Sequence, residues 1–289
     1  MEFEITHLTN YQYGQPAAEA YGEARLTPPN LESQTVISHK LEIEPETKTS
    51  SYVDHFGNTV DFFSLPYRHQ KLVVRNRAVV RTHRPARPQE SLDLSVQEAR
   101  QIFSSAMPDI FEYLQPTDIV ETGRESIQWA RKYLRGDLAL GVALERLNEA
   151  ICDTFVYKKG STDNSTTLAA IWKGKKGVCQ DFAHIGLSIL RTGGIPARYV
   201  CGYIEANAPS DTPRLTGAVA THAWIDVLVP GLTWVGIDPT NRHWADDRYI
   251  AVSFGRDFRD ATPLRGMFKG SGGQKMEVKV LMKRRVEKK

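Results

Sequence analysis

The spacing of the apolar residues changes near residue 84, and this change constrains the fold more than any other feature of the sequence. Between residues 3 and 82, runs such as FEITHLTNYQY and KLVVRNRAVVRTH alternate apolar and polar residues, with turn residues such as PPN and FGN between the runs. Alternation with period two is typical of β-strands that are buried on one face. The sequence therefore predicts an N-terminal all-β, sandwich-like domain over residues 1–88.

The second part of the chain follows the connector RPARPQE at 84–90, in which prolines and charged residues concentrate. Beyond it, ESIQWARKYL and ALERLNEAICDTF space their apolar residues at three and four, as amphipathic helices do. We therefore place a domain boundary in the connector and assign residues 89–289 to a second domain. This domain divides into a helical lead-in at 95–157, the candidate catalytic motifs at 170–245 and a C-terminal strand at 275–284.

The composition argues against nucleic-acid and membrane partners. The 37 basic and 34 acidic residues leave a net charge of only +3, and part of that excess lies in the terminal KRRVEKK, which is typical of a solvated tail. There is no basic face with interleaved aromatic residues, as a nucleic-acid reader would carry. The N-terminal MEFEITHLTN has no signal-peptide pattern, and no apolar run approaches the length of a spanning helix. We expect a cytoplasmic protein.

The three cysteines, Cys152, Cys179 and Cys201, are odd in number and show no CxxC spacing, which favours reduced thiols over disulfides or a zinc ribbon. Cys179 lies in GVCQDFAHIGL at 177–187, at the predicted start of an apolar helix. The partial positive charge of a helix N-terminus favours a thiolate over a thiol. On the helix alone, a small core residue is the favoured interpretation of Cys179, as it is for the other two cysteines.

A predicted β-hairpin supplies a base and a carboxylate for this cysteine. THAWIDVLV at 221–229 and LTWVGIDPT at 232–240 are strand-like runs around a turn. A hairpin centred on Pro230 places His222 directly opposite Asp238, with Cβ atoms about 4.5–5.5 Å apart, so that the carboxylate can accept the imidazole N–H. Taken alone, His222 is better explained as a partly buried strand histidine, and Asp238 as a strand-end or turn aspartate before proline. Together with Cys179 they form a candidate nucleophile, base and orienting group.

These three motifs resemble those of the transglutaminase-like superfamily of papain-related cysteine enzymes, and most of all its bacterial transglutaminase-like cysteine proteases. GVCQDFAH, THAWIDV and WVGIDPTN match in order and context, and EYLQPTDIV, FVYKKGST, GGIPARYVCGY and FGRDFRDATPLRG also look like that bacterial group. The β-rich N-terminus resembles the N-terminal region that accompanies it. The resemblance implies an α+β fold, in which a cysteine-bearing helix packs on an antiparallel sheet.

The resemblance also implies amide chemistry through a thioester, without a cofactor. Cys179 would attack a peptide or carboxamide carbonyl, His222 would protonate the leaving amine, and Asp238 would stabilise the imidazolium. Water or an amine would then cleave the acyl-enzyme. The oxyanion would be bound by the Cys179 N–H and one side-chain donor. The candidates for this donor and for the substrate pocket are Gln180, Trp172, Tyr157, Trp224 and Asp181.

Several alternatives stay open at this stage. Core packing is an equally good explanation of Trp172, Tyr157 and Trp224. Asp181 is explained as well by the favourable interaction of a first-turn negative charge with the helix dipole. Asn241 is a weaker candidate than Asp238 for orienting the histidine. A catalytically silent binding module and a cross-linking transglutaminase are the competing functions, because water and amine acceptors use the same triad. A metal site built from Cys179, His184 and His222 matches no familiar zinc spacing, so we expect none. The expected partner is a peptide or protein substrate, with an amine acceptor as an option, and the oligomeric state is open.

Overall fold

The computed structural model describes residues 1–205, 215–217 and 220–285, so the last four residues of the predicted basic tail lie outside the described residues. The strands of the N-terminal part are β1 (Glu2–Ala17), β2 (Glu19–Ala24), β3 (Gln34–Glu44), β4 (Thr49–Val53), β5 (Thr59–Leu65) and β6 (His69–Thr82). The next elements are α1 (Gln89–Asp93), α2 (Val96–Ser105), α3 (Met107–Ile110), a 3-10 helix (Phe111–Leu114), α4 (Arg124–Tyr133), α5 (Leu140–Thr154), β7 (Val156–Tyr157), α6 (Leu168–Gly174), β8 (Lys176–Gly177) and α7 (Cys179–Thr192). The last are β9 (Ala197–Ile204), β10 (His222–Val229), β11 (Thr233–Asp238), β12 (His243–Trp244), β13 (Tyr249–Gly255), α8 (Phe258–Ala261), β14 (Leu264–Lys269) and β15 (Gln274–Arg284). None of the described helices is long and apolar enough to cross a membrane.

The N-terminal strands form a sandwich of two four-stranded antiparallel sheets, which confirms the sandwich-like prediction. The strand orders are β15-β1-β6-β3 and β14-β2-β5-β4. Period-two alternation in both sheets turns one row of apolar side chains inward, and Tyr13, Phe63, Leu65 and Val74 meet in the layer between the sheets.

The C-terminal strands complete these two sheets. β15 pairs with β1 from Phe3–Arg284 to Tyr13–Gln274, and β14 pairs with β2. β15 covers the predicted strand at 275–284, which was assigned to the second domain, but its pairing with β1 makes it part of the N-terminal sandwich. Alternation predicts that a segment is a strand but does not specify its neighbour. The boundary near residue 88 itself stays a prediction.

The second part is an antiparallel sheet with helices on one face, as expected for the α+β class. The sheet order is β12-β11-β10-β9-β13, and α7 packs against its centre. The approach is close, because a Cβ at Gly186 of α7 would lie 2.3 Å from Ile225 Cδ1. Together with α4, α5 and α6, this helix encloses the larger apolar core of the molecule.

The sandwich is joined to the sheet through the edge strand β13. The buried Gln34 side chain donates to the Ala251 carbonyl and accepts from the Ala251 N–H, both at 2.9 Å. The buried Asn58 side chain does the same for Phe254, at 2.8 and 2.7 Å. These two side-chain amides take the place of a neighbouring strand, so the N–H and C=O groups of Ala251 and Phe254 at the edge of the sheet are hydrogen-bonded.

Candidate active site

The first turn of α7 presents Cys179, its first helical residue, which is half-buried. The buried Asp181 carboxylate accepts hydrogen bonds from the Val178 N–H at 2.7 Å and from Thr162 Oγ1 at 2.6 Å. Burial raises the pKa of Asp181, and these two hydrogen bonds oppose the increase. A Cβ at Gly177 would lie 2.6 Å from this carboxylate, so the close fit requires glycine. Asp181 therefore braces the turn that carries the sulfur.

The hairpin that carries the histidine has a different register from the one expected. Val229 pairs with Thr233 and Ile225 with Ile237, which centres the turn on Gly231 rather than on Pro230. Gly231 and Leu232 both have positive φ, at 88° and 60°, and this three-residue connection moves the register by two positions. Because the shift is even, every side chain keeps the face that the sequence predicted.

His222 and Asp238 are thus diagonal neighbours rather than direct cross-strand partners, and they still meet. His222 Nε2 donates to Asp238 Oδ2 at 2.7 Å, with both side chains fully buried. Asp238 accepts three further hydrogen bonds, from Asn241 Nδ2 at 2.6 Å, Tyr249 Oη at 2.9 Å and the Thr240 N–H at 2.9 Å. Burial would raise the pKa of this carboxyl, but the positive charge of His222 and the donors outweigh burial and lower it.

The other ring nitrogen of His222 faces the sulfur. Burial would lower the pKa of His222, but the negative charges of Asp238 and Cys179 outweigh burial and raise it to about 10. The imidazolium is therefore the stable form of this ring. Nδ1 is buried and, within the part of the chain that the structure describes, has no acceptor in full hydrogen-bonding geometry. A Cβ at Gly217 would lie 2.6 Å from this Nδ1, so the backbone of Gly217 lies close to the ring.

Two of the candidate oxyanion donors are Tyr157, which lies close enough to Cys179 for the charge of the sulfur to act on it, and Gln180, which follows Cys179 in the first turn of α7. Burial and then the charge of Cys179 raise the pKa of Tyr157 to about 12, and neither the Tyr157 hydroxyl nor the Gln180 amide donates to any described residue. Tyr157 and Gln180 are both half-buried, so their donors remain available to a ligand.

The two tryptophan candidates have other surroundings. Trp172 is buried in an aromatic cluster with Trp129 and Phe155, with ring centroids 5.2 and 5.3 Å away. It is therefore a packing residue rather than a pocket donor. Trp224 is also buried, and its ring stacks on His222 with centroids 6.3 Å apart.

His184, which was considered as a metal ligand, has partners other than Cys179 and His222. His184 is fully buried, accepts a hydrogen bond from the Phe258 N–H at 3.2 Å and packs on Tyr199. Burial lowers its pKa to about 3, so it is neutral. Among the described residues, no three His, Cys, Asp or Glu side chains gather as a metal site would require.

Tyr249 is the residue of the site that sequence reasoning missed. It begins β13, three strands away from β11 in the sheet, and crosses the sheet face to reach Asp238. No spacing in the sequence indicates this contact. Asn241 was considered as an orienting group for the histidine; it bonds the carboxylate instead, and its position three residues after Asp238 was a usable signal.

The fold and the site together define a class of protein. It is an α+β protein with a cysteine at a helix N-terminus and a buried His–Asp pair on the adjoining antiparallel sheet. Family models agree, since residues 3–81 match the bacterial transglutaminase-like N-terminal region and residues 127–239 match the transglutaminase-like superfamily. The chain belongs to the transglutaminase-like superfamily, as the resemblance of its motifs implied.

Three relatives illustrate the likeness. An uncharacterized protein of Mycobacterium leprae is 35% identical over 282 residues, which is 96% of each chain. The crystal structure of a candidate cysteine protease of Cytophaga hutchinsonii aligns with a TM-score of 0.74 and 20% identity, covering 100% of this chain and 92% of that one. This alignment confirms the fold. A protein-glutamine gamma-glutamyltransferase of Pseudomonas aeruginosa is 37% identical over 101 residues, 34% of this chain and 14% of that protein.

Proposed function

We propose that this protein is a thiol-dependent enzyme that acts on amide bonds of peptide or protein substrates through a Cys179 thioester. The single observation that carries the proposal is the geometry of the buried His222, whose Nε2 donates to Asp238 Oδ2 at 2.7 Å and whose ring interacts with Cys179 at the start of α7. A buried imidazolium beside a sulfur maintains the sulfur as a thiolate, which is the nucleophilic form of cysteine. A silent binding module would need no such pair.

The first half-reaction forms the thioester. The Cys179 thiolate attacks the amide carbonyl carbon, and the carbonyl oxygen becomes an oxyanion. The unpaired N–H groups at the start of α7 can donate to it, and we propose Tyr157 or Gln180 as the side-chain donor. When the oxyanion collapses, the carbon–nitrogen bond breaks, and the leaving amine takes the proton from His222 Nδ1. Asp238 holds the ring throughout through Nε2.

The second half-reaction returns the enzyme to its starting state. Neutral His222 removes a proton from water or from an incoming amine, whose oxygen or nitrogen attacks the thioester carbon. The thiolate leaves, and the imidazolium–thiolate pair is restored. Water as acceptor gives hydrolysis, and an amine gives acyl transfer. The likeness over 101 residues to a protein-glutamine gamma-glutamyltransferase favours acyl transfer as the second candidate activity.

Alkylation of the native protein tests the thiolate. Iodoacetamide at about pH 6 labels an unperturbed thiol slowly, because its pKa is about 8.5. We expect fast labelling of Cys179 and slow labelling of Cys152, which is also half-buried and is the internal control. His222→Ala should remove the difference. Equal rates at the two cysteines in the native protein would contradict the proposal.

Turnover tests the acceptor. Benzyloxycarbonyl-Gln-Gly offers a glutamine carboxamide, and released ammonia measures attack on it. Hydroxylamine in the same assay gives a hydroxamate if an amine can accept the acyl group. Ammonia without hydroxamate would indicate hydrolysis, and both products would indicate transfer. If His222→Ala retained turnover, the proposed mechanism would be wrong.

A further inference from the structure

A cleft of about 440 Å³ lies between the sandwich side of the molecule and the face of the catalytic sheet opposite α7. The connector at 84–88 and the loop at 31–33 form one wall, and β9, β10 and β11 form the other. Cys179, His222 and Asp238 do not line it. The volume lies in the range typical of ligand sites.

The floor of this cleft offers a hydrogen-bond donor and an acceptor side by side. A Cβ at Gly236 would lie 3.4 Å from Trp224 Nε1 and 3.3 Å from Asp226 Oδ1, so the two atoms flank Gly236, and Ala245 Cβ packs against the same position at 2.6 Å. Throughout residues 1–205, 215–217 and 220–285, neither atom makes a hydrogen bond. A peptide group, which carries one C=O and one N–H, matches this pair.

The donor and the acceptor are held rigidly. Both Nε and Nη2 of Arg198 donate to the other oxygen of Asp226, Oδ2, at 3.2 and 3.0 Å. The guanidinium is itself enclosed by aromatic rings, 4.3 Å from the centroid of Trp234 and 3.8 Å from that of Phe254. The proposed mechanism does not use this ion pair, and a largely buried ion pair contributes little to stability by itself. The ion pair holds the Asp226 carboxylate in the lining of the cleft and engages only Oδ2.

The walls are suited to side chains rather than to a compact polar ligand. Trp234 and Trp244 line the cleft from the sheet, and Pro85 and Pro88 line it from the connector. Arg87 lies over the ring of Trp244, 4.8 Å from its centroid. Flat aromatic and proline surfaces around a polar floor are typical of grooves that bind extended peptides.

We propose that this cleft is a docking site for an extended segment of the polypeptide substrate, separate from the residues that do the chemistry. The inference rests on the proposed function for the identity of the polypeptide. Trp224 connects the cleft to the candidate active site, because its ring stacks on His222 and the same residue lines the cleft. A segment bound there lies directly behind the catalytic histidine.

A binding experiment tests the proposal without depending on turnover. The protein carries Cys179→Ser, and the probe is reduced and carboxymethylated ribonuclease A, an unfolded polypeptide without tryptophan. Three of the five tryptophans, Trp224, Trp234 and Trp244, line the cleft, so their emission reports on binding. We expect a saturable change in emission. Absence of any saturable change would overturn the proposal, whether or not the wild-type enzyme turns over a small substrate.

Two variants locate the binding. Ala86→Phe adds a ring at the exposed rim of the cleft, and Leu232→Asn removes an apolar side chain from its wall while tolerating the positive φ of that position. We expect Ala86→Phe to raise Kd at least about tenfold and Leu232→Asn to raise it severalfold. The matched control is Ala18→Phe, at an exposed alanine that does not line the cleft. Equal Kd values for the parent and both cleft variants would refute the docking site. An increase in Kd for Ala18→Phe as large as that for Ala86→Phe would also refute it.

Discussion

Tyr249→Phe isolates one hydrogen bond of the candidate site. In the native protein, the buried Tyr249 hydroxyl donates to Asp238 Oδ2 at 2.9 Å, and its ring packs edge-on against Trp224 with centroids 5.4 Å apart. Phenylalanine preserves the ring and its packing and removes only the donor. The carboxylate then keeps the donors from His222, Asn241 and the Thr240 backbone.

The magnitude follows from the charge of the acceptor. A hydrogen bond to a charged group contributes about 1.5–3 kcal/mol to stability, against about 1 kcal/mol for a bond between neutral groups. We therefore expect Tyr249→Phe to lower the free energy of unfolding by about 2 kcal/mol at neutral pH. If the same bond orients the triad in the transition state, kcat falls by up to about 30-fold while KM changes little.

The control is Tyr203→Phe, which makes the same change at another buried tyrosine. The Tyr203 hydroxyl lies 2.9 Å from Nδ1 of His7. Burial lowers the pKa of His7 to about 4, so this bond joins neutral groups. Urea denaturation should show a larger decrease in the free energy of unfolding for Tyr249→Phe than for Tyr203→Phe. Only Tyr249→Phe should slow the alkylation of Cys179. Equal stability losses together with unchanged alkylation in both variants would refute the reasoning.

Three further predictions concern other contacts of the site and its support. Because the pKa of His222 is raised to about 10, its pairing stabilises the native state fully below about pH 6.5 and less as pH rises toward 10; urea titrations should show this decline, and Asp238→Asn should remove it. Gln34→Ala and Asn58→Ala each leave a buried N–H and C=O of β13 unpaired, so each should cost about 1–3 kcal/mol in the same assay; an unchanged midpoint would contradict the role assigned to the amide. Asp181→Ala removes the acceptor for the Val178 N–H and the Thr162 hydroxyl. It should slow the alkylation of Cys179 and lower the melting temperature only slightly. An unchanged labelling rate would show that Asp181 does not position Cys179.

The features that sequence reasoning predicted depend on neighbours close in the chain. The start of α7 is marked by Gly177 and by a helical stripe beginning at Phe182, so the position of Cys179 follows from local pattern. The faces of the hairpin follow in the same way, because alternation is insensitive to an even shift of register. His222 and Asp238 therefore meet even though the turn was centred one residue too early.

The features that it did not predict depend on residues far apart in the chain. The conformation of the turn at Gly231 and Leu232 is set by positive φ values, which are a property of the folded backbone and which Leu232 gives no reason to expect. The pairing of β15 with β1 joins the two ends of the chain, and alternation carries no information about the partner. The reach of Tyr249 to Asp238 depends on the order of five strands.

The sandwich supports the candidate site through β13, which links the two parts of the molecule. The side chains of Gln34 and Asn58 complete the open edge of this strand, and Tyr249 at its beginning orients Asp238. The Thr82 hydroxyl donates to the Asp247 carbonyl at 2.9 Å just before the strand begins. A core without the sandwich would leave the buried N–H and C=O groups of the strand unpaired, and a strand that frays at this edge cannot hold a hydroxyl in fixed geometry. The β-rich N-terminal region is therefore part of the structure that positions the candidate site.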